Sequence, residues 1–361
     1  MTSDAQHPLH RRRRHQRRRN LLAIADTSTT PATSNNSPHE PTITPYTINQ
    51  SICPSTHATI LEPLVTKHIH ALPQYWKNKP TAIHNEEAFE YALEFVIRFG
   101  QQLPKESSLH SSSMRGRTKV ILDSGCGTGK SSHILGERYP DCVVVGIDQS
   151  LARLNRNNAY RYETNGKNSN VLLLRADVTD FWKLCLASTQ WHHHAVIVQH
   201  YLLYPNPYPK KSRLMNRFYA HPAFPLMMLT LTMDSNDDSG GGGGIGYGDV
   251  VSNNKLDIGN EKLVVRSNWK GYLDEFRVAS DVWLQSGGNF HDWQAFISNN
   301  KDGSESYCWD NEWYPNSKPS PWEIVGPNQL DGDIISPMTN FESKFLQVGE
   351  AVYELSIVKR S

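Results

Sequence analysis

Four apolar runs of strand length punctuate the middle of this chain: Lys119-Val120-Ile121-Leu122-Asp123, Val143-Val144-Val145-Gly146-Ile147-Asp148, Val171-Leu172-Leu173-Leu174-Arg175-Ala176-Asp177 and Ala195-Val196-Ile197-Val198-Gln199-His200-Tyr201-Leu202-Leu203. The first three end on an aspartate, and each run has the length of a strand. Ahead of them, from Ala58 to Leu103, the apolar period changes from that of a strand to that of a helix. Trp76 and the series Phe89, Tyr91, Ala92, Phe95, Val96 and Phe99 recur at helical spacing, which predicts a helix packed against the sheet. Two stretches lack any period and read as surface loop insertions: 234–261, with five consecutive glycines at 240–244, and 298–337, rich in Asn, Ser, Pro and Trp. The chain therefore reads as an arm over 1–58 and a catalytic domain over 59–361, with a compact core of roughly 200–250 residues.

Between the first run and the next helix stand Asp123-Ser124-Gly125-Cys126-Gly127-Thr128-Gly129. A strand that ends this abruptly lets its backbone touch a ligand, and glycine permits the sharp turn without a Cβ in the way. The dinucleotide fingerprint fails, because Lys130 stands where its third glycine belongs. The phosphate-binding P-loop matches at Gly129, Lys130 and Ser131, but its first glycine would be Ser124, and no later strand supplies its Mg²⁺-holding aspartate. Asp148, 19 residues after Gly129, suits the two hydroxyls of an adenosine ribose instead. The loop resembles the S-adenosylmethionine (SAM) loop of Rossmann-type methyltransferases, in which the position of Asp177 commonly meets the adenine amino group. Taken singly, each strand-tip aspartate could equally be a helix cap.

Charge narrows the partners. The net charge is +1, yet seven arginines lie between Arg11 and Arg19; without them and Asp4, 30 basic residues face 35 acidic ones, about −5. The acid-poor, Ser/Thr/Pro/Asn-rich arm is expected to be disordered when free. It reads as a nuclear import or nucleic-acid arm, an organellar transit peptide, or a solvated tail. Five cysteines without metal spacing point to an intracellular, reducing compartment and no metal. No run approaches the roughly 18 apolar residues of a membrane span, so a soluble protein is expected.

The fourth run continues into Tyr204-Pro205-Asn206-Pro207-Tyr208-Pro209-Lys210-Lys211-Ser212-Arg213 and an expected helix through Leu214, Arg217 and Phe218. Three prolines make a stiff loop that holds a polar side chain with little entropy left to lose. Lys210, Arg213 and Arg217 would share one helical face, a candidate phosphate contact beside the reacting group, or simply a solvated face. The segment resembles the tRNA (guanine-N7)-methyltransferase family, whose signature is Phe-Pro-Asp-Pro-Trp-Pro-Lys-Lys followed by an arginine-rich helix. Pro205, Pro207, Pro209, Lys210, Lys211 and Arg217 match; Tyr208 stands for Trp and Asn206 for Asp. Leu263 to Tyr272 resembles the family's fifth strand and Thr-Asp-x-x-x-Tyr continuation, with Asn268 again replacing Asp. Thr339-Asn340-Phe341-Glu342 resembles its Thr-Lys-Phe-Glu element, although T-x-x-E is also a helix capping box.

The resemblance, over about 119–357, implies an α/β Rossmann-like class I methyltransferase: a doubly wound, mostly parallel seven-stranded sheet with helices on both faces. It implies SAM as cofactor, tRNA as partner, cofactor contacts from Asp123, Gly125, Gly127, Gly129, Asp148 and Asp177, and a base-facing set of Asn206, Thr339 and Glu342. Lys210, Lys211, Arg213 and Arg217 would hold RNA. Some relatives in the family work with a separate partner subunit, which a single chain does not reveal. Because guanine N7 attacks with an in-plane lone pair and no proton, orientation supplies most of the catalysis, and a carboxylate would stabilise the cationic product better than Asn206. Two other readings stay open. Asn206-Pro207-Tyr208 resembles the Asn-Pro-Pro-Tyr loop of methyltransferases acting on exocyclic amines, and two Asp-to-Asn replacements are also what a catalytically inactive SAM- or RNA-binding module would carry. A small-molecule methyltransferase is disfavoured by the basic segment.

Overall fold

The protein is described by a computed structural model over residues 54–103, 117–157, 170–231, 261–286, 322–330 and 336–359. The arginine arm, the glycine run at 240–244 and most of the second insertion lie outside the described residues. Two helices lead: α1 (Pro54–Asn78) and α2 (Ile83–Gln102). Then β1 (Thr118–Ser124), α3 (Lys130–Arg138), β2 (Val143–Asp148), the single turn α4 (Leu151–Leu154), β3 (Val171–Arg175), α5 (Val178–Ala187), α6 (Thr189–His194) and β4 (Ala195–Leu203) alternate. The chain closes with α7 (Phe224–Leu231), β5 (Glu261–Ser267), α8 (Lys270–Gln285), β6 (Trp322–Leu330), α9 (Asn340–Gln347) and β7 (Val352–Lys359).

The seven strands form one sheet in the order β3-β2-β1-β4-β5-β7-β6, in which β1 to β5 pair in parallel and β7 runs antiparallel to both β5 and β6. This is the doubly wound, mostly parallel sheet expected. The central strands β1, β2 and β4 are buried along almost their whole length because both faces are covered. Alternate residues divide between them: Val120 and Leu122 face the larger core, with Phe89, Ala92 and Val96 of α2, while Ile121 faces the smaller core with Leu135 of α3. The helical series at 89–99 is therefore core, as its spacing predicts.

One expectation needs correction. Residues 322–330, assigned to a surface insertion, form the edge strand β6, which buries Trp322 and Ile324 on the larger core. Only two inward positions alternate before Gly326 and Pro327, where the register with β7 shifts between Val325 and Asn328. So short a period, interrupted by residues that usually end strands, carries almost no signal in the sequence. Among the described residues, no helix is long and apolar enough to cross a membrane.

Candidate active site

The sheet order reverses between β1 and β4, and ligands of open α/β sheets bind outside the carboxyl ends of the strands at such a switch point. The two most distinctive loops of the sequence emerge there side by side, because Asp123 of β1 is in register with Tyr201 of β4.

The glycine loop after β1 is tied to β2: Gly125 and Cys126 N–H donate to Ile147 O at 2.7 and 3.0 Å. Gly125, Gly127 and Gly129 have φ of 79°, 61° and 77°, the left-handed region that other residues enter at a cost. A Cβ at Gly125 or Gly127 would meet nothing within 4 Å, so the front of the loop is open, whereas one at Gly129 would lie 2.4 Å from Leu173 Cδ1. Gly129 is thus required by packing and Gly127 by the space before it. Gly127 N–H donates to Asp148 Oδ2 at 3.0 Å, and Ser150 N–H donates to Asp148 Oδ1 at 2.7 Å. Arg153 completes this set at 3.3 Å. Asp148 therefore stands at the β2 tip beside the open loop with one donor on Oδ1 and two on Oδ2, which leaves about one acceptor position, on Oδ1, for a ligand hydroxyl.

Asp123 lies under the loop rather than in front of it. It is buried, and its Oδ2 accepts from the hydroxyls of Ser131 (2.6 Å) and Ser132 (2.7 Å), pinning the first turn of α3. Among the described residues, Oδ1 has no hydrogen-bond partner. Burial pushes its carboxyl up to about 6, against the opposing effect of the two serines. Since the unfolded value is near 3.9, the folded protein holds a proton that the unfolded chain loses between about pH 4 and 6. The stability from protonated Asp123 is full below pH 4 and is lost as pH rises through 6, roughly 3 kcal/mol in all. Asp123→Asn is expected to remove this component, read as a smaller fall in Tm from pH 4.5 to 7 than in the wild type.

Asp177 takes the cap alternative. Its Oδ1 accepts the N–H groups of Thr179 (2.9 Å) and Asp180 (3.1 Å) at the start of α5, together with the Thr179 hydroxyl and Lys79. Burial opposes ionisation, but these donors outweigh it and hold the carboxyl below its usual range. Oδ2 receives Gln149 Nε2 at 2.5 Å. The turn between α1 and α2 clamps the same region, with Asn85 Nδ2 on Asp180 Oδ2 at 2.5 Å and Lys79 on Asp180 at 2.9 Å. These residues carried no signal in the sequence, because the contact joins segments about a hundred residues apart.

Beyond β4, Asn206 is exposed and its Oδ1 accepts the N–H of Tyr208 at 3.2 Å, closing an Asx turn. Tyr204 and Tyr208 sit at φ 52° and 42°, strained for residues with a side chain. The expected α-helix after this loop is instead a pair of 3₁₀ segments, Lys211–Asn216 and Phe218–Ala220. Lys210, Arg213 and Arg217 consequently do not share an α-helical face. Lys210 and Arg213 are exposed, but Arg217 is buried in an ion pair with Glu275, and the guanidinium is unavailable to a phosphate. Lys211 lies in the same segment.

The third component is α9. Thr339 is its N-cap, its hydroxyl accepting Glu342 N–H at 3.0 Å, so the Thr339 half of the capping box is observed, while the Glu342 carboxylate reaches back one residue further, to Met338 N–H. Glu342 does not face an open site: it is fully buried, with Oε1 on Arg266 at 2.9 Å and Oε2 accepting Met338 N–H at 2.9 Å. The helix itself rests on the glycine loop through Lys130 Nζ to Ser343 Oγ (3.2 Å) and Asn340 Nδ2 to Thr128 Oγ1 (3.4 Å). Asn268 Nδ2 donates to Glu350 at 3.1 Å. Among the described residues, no cluster of His, Cys, Asp and Glu could hold a metal ion.

Below the loops runs a buried chain that the sequence hid inside an apolar run. Trp182 N–H donates to Ser124 Oγ (3.1 Å), Ser124 lies 2.8 Å from His200 Nε2, and His200 Nδ1 lies 3.3 Å from Thr230 Oγ1, whose hydroxyl donates to Met227 O. Burial lowers His200 to about 3, so it is neutral. With the Thr230 proton spent on Met227, Nδ1 carries the imidazole proton and Nε2 accepts from Ser124. The chain joins β1, one residue before the glycine loop, to β4.

A family profile described as "Putative methyltransferase" matches residues 117–235, the stretch from β1 through α7. A tRNA (guanine-N(7)-)-methyltransferase of Culex quinquefasciatus is 30% identical over 112 residues. Over this segment, about a third of the chain, the sequence is similar to those methyltransferases. The match spans 30% of this chain and 44% of the length of the mosquito protein. Solved structures also align with this chain at low similarity. The 16S rRNA methyltransferase KamB covers 68% of this chain and 90% of its own, at 14% identity and TM-score 0.32. The plantazolicin methyltransferase BpumL, bound to SAH, covers 85% and 99%, at 12% and 0.28.

Proposed function

We propose that this protein is a SAM-dependent methyltransferase that methylates guanine N7 in tRNA. The observation that carries the reading is the juxtaposition, at the switch point between β1 and β4, of an open left-handed glycine loop and the braced Tyr-Pro-Asn-Pro-Tyr-Pro loop. The matched relative's name supports the substrate. SAM, when bound, supplies an electrophilic sulfonium methyl group. The chain's own residues do the rest. Gly125 and Gly127 leave room for the cofactor, Asp148 accepts a ribose hydroxyl on Oδ1, and Asp177 offers the spare lone pair of Oδ2 to the adenine amine. Asn206, exposed at the strand-four tip, orients the guanine, and Lys210 and Arg213 meet the RNA backbone, with Lys211 assigned beside them. No general base is needed, since N7 carries no proton.

The test is transfer of a labelled methyl group from SAM to unmodified tRNA, with nucleoside analysis of the product. Appearance of 7-methylguanosine is the expected result. Methylation of an exocyclic amine instead, or SAM binding with no acceptor methylated, overturns it. Asn206→Asp restores a carboxylate where positive charge develops, and kcat is expected to rise by about tenfold, the effect of roughly 1.4 kcal/mol on the barrier. An unchanged or lower kcat would show that Asn206 suits this substrate better than an acid.

A further inference from the structure

We infer that Arg217 is the positioning residue of the strand-four loop: it fixes the loop that carries Asn206 and does not touch RNA. The inference rests on the function proposed above for that loop. Arg217 is among the largest fully buried side chains of the protein. Its planar fork is used on both sides. Nε and Nη2 donate to the carbonyl of Tyr208 at 3.2 and 3.1 Å, and Nη2 reaches Pro209 O at 3.5 Å. Nη1 donates to Glu275 of α8 and to the Tyr219 hydroxyl (2.8 Å), and the Tyr219 hydroxyl also pairs with Glu275. The guanidinium carbon lies 5.0 Å from the ring centroid of Trp269, next to Asn268 at the β5 tip. One side chain thus links the strand-four loop, the strand-five tip and α8.

The loop needs such a brace. Tyr208 is held at φ 42°, a conformation that a residue with a Cβ keeps only when its surroundings over-determine it. Its N–H is held by Asn206 Oδ1 and its carbonyl by Arg217, so the peptide units flanking Tyr208 and the Asn206 side chain are fixed by one arrangement. Without the guanidinium, no hydrogen bond among the described residues holds that carbonyl, and Asn206 loses its orientation. Lysine cannot substitute: its ammonium is a point donor that could reach Glu275 or the Tyr208 carbonyl but lacks the fork to serve both.

The experiment compares Arg217→Lys, Arg217→Ala and Lys210→Ala in the full chain. Arg217→Lys is expected to lower kcat tenfold or more, on the scale by which about 1 Å of misplacement can cost 100-fold, with KM for tRNA and for SAM within about twofold. Lys210→Ala should do the reverse, raising KM for tRNA at constant kcat. Added guanidinium at sub-denaturing concentration should restore part of the kcat of Arg217→Ala. Amide exchange at Tyr208 should quicken in Arg217→Lys, a readout independent of any activity. An unchanged kcat in Arg217→Lys, or a change confined to KM for tRNA, would overturn the inference. If the wild type methylates no tRNA, the functional reading fails by itself, and Tyr208 exchange alone decides whether Arg217 braces the loop: unchanged exchange overturns the brace and faster exchange upholds it.

Discussion

Gly127→Val is expected to abolish methyl transfer by removing SAM binding while leaving the protein folded. The Cβ of any residue at 127 projects into open space, with nothing within 4 Å, so packing inside the protein does not oppose it. Two smaller effects act on the fold. The φ of 61° costs a residue with a side chain about 1–2 kcal/mol, more for a β-branched one, a fall of a few degrees in Tm. The Gly127 N–H bond to Asp148 can persist, because it uses only the backbone. The large effect is on the ligand, since a valine side chain would fill the volume in front of the loop. SAM affinity should fall at least roughly 100-fold, equivalent to about 2.7 kcal/mol, measured by calorimetry. Gly129→Ala provides the contrast: its methyl group would sit 2.4 Å from Leu173 Cδ1, so the expected loss is of folded protein rather than of affinity. SAM binding by a folded Gly127→Val protein at wild-type affinity would remove the glycine loop from the cofactor site.

This contrast bears on what the sequence could disclose. The strands β1 to β4 were legible because a parallel sheet covered on both faces needs uninterrupted apolar runs, and each run ended where the chain turned, whereas β5 was expected only from the family resemblance. The glycine spacing disclosed a close-approach loop, but the different duties of Gly127 and Gly129 depend on Leu173 from β3, which spacing cannot reveal. Edge strand β6 was hidden by its short alternation. The side chains of the site divide in the same way. The exposed loop position of Asn206 was legible because three prolines mark it, whereas Arg217 was read as a surface cation because helical periodicity assumed 3.6 residues per turn where the chain forms 3₁₀ turns. Its partner Glu275 lies 58 residues away, and a charge pair across that separation leaves no local pattern.

Arg266→Ala is expected to destabilise the protein more than any surface change and to unseat α9. Arg266 lies on β5 and divides its guanidinium between two acids: Nη1 to Glu342 at 2.9 Å and Nε to Glu354 at 2.7 Å. Glu342 is 0% exposed, so removing its cation leaves a carboxylate in the interior with, among the described residues, only the Met338 N–H to meet it. Breaking a buried pair from one side typically costs 3–5 kcal/mol, roughly 6 °C or more of Tm for a domain of this size. The reason is the orphaned charge rather than the lost attraction, and this separates two outcomes. If the orphaned charge dominates, Arg266→Ala with Glu342→Gln should recover a substantial part of the loss, because an amide costs far less to bury than a carboxylate. If the double variant is as unstable as the single one, Arg266 acts mainly through Glu354 and the packing of its stem. The consequence for function follows from where α9 rests. Its first turns contact the glycine loop through Asn340 and Ser343, so a loosened helix should weaken SAM binding although no residue facing the cofactor has changed. Denaturant unfolding and SAM titration on the same two variants measure both effects. Recovery of stability and SAM affinity together in the double variant would place Glu342 in the seating of α9 rather than at the reacting base.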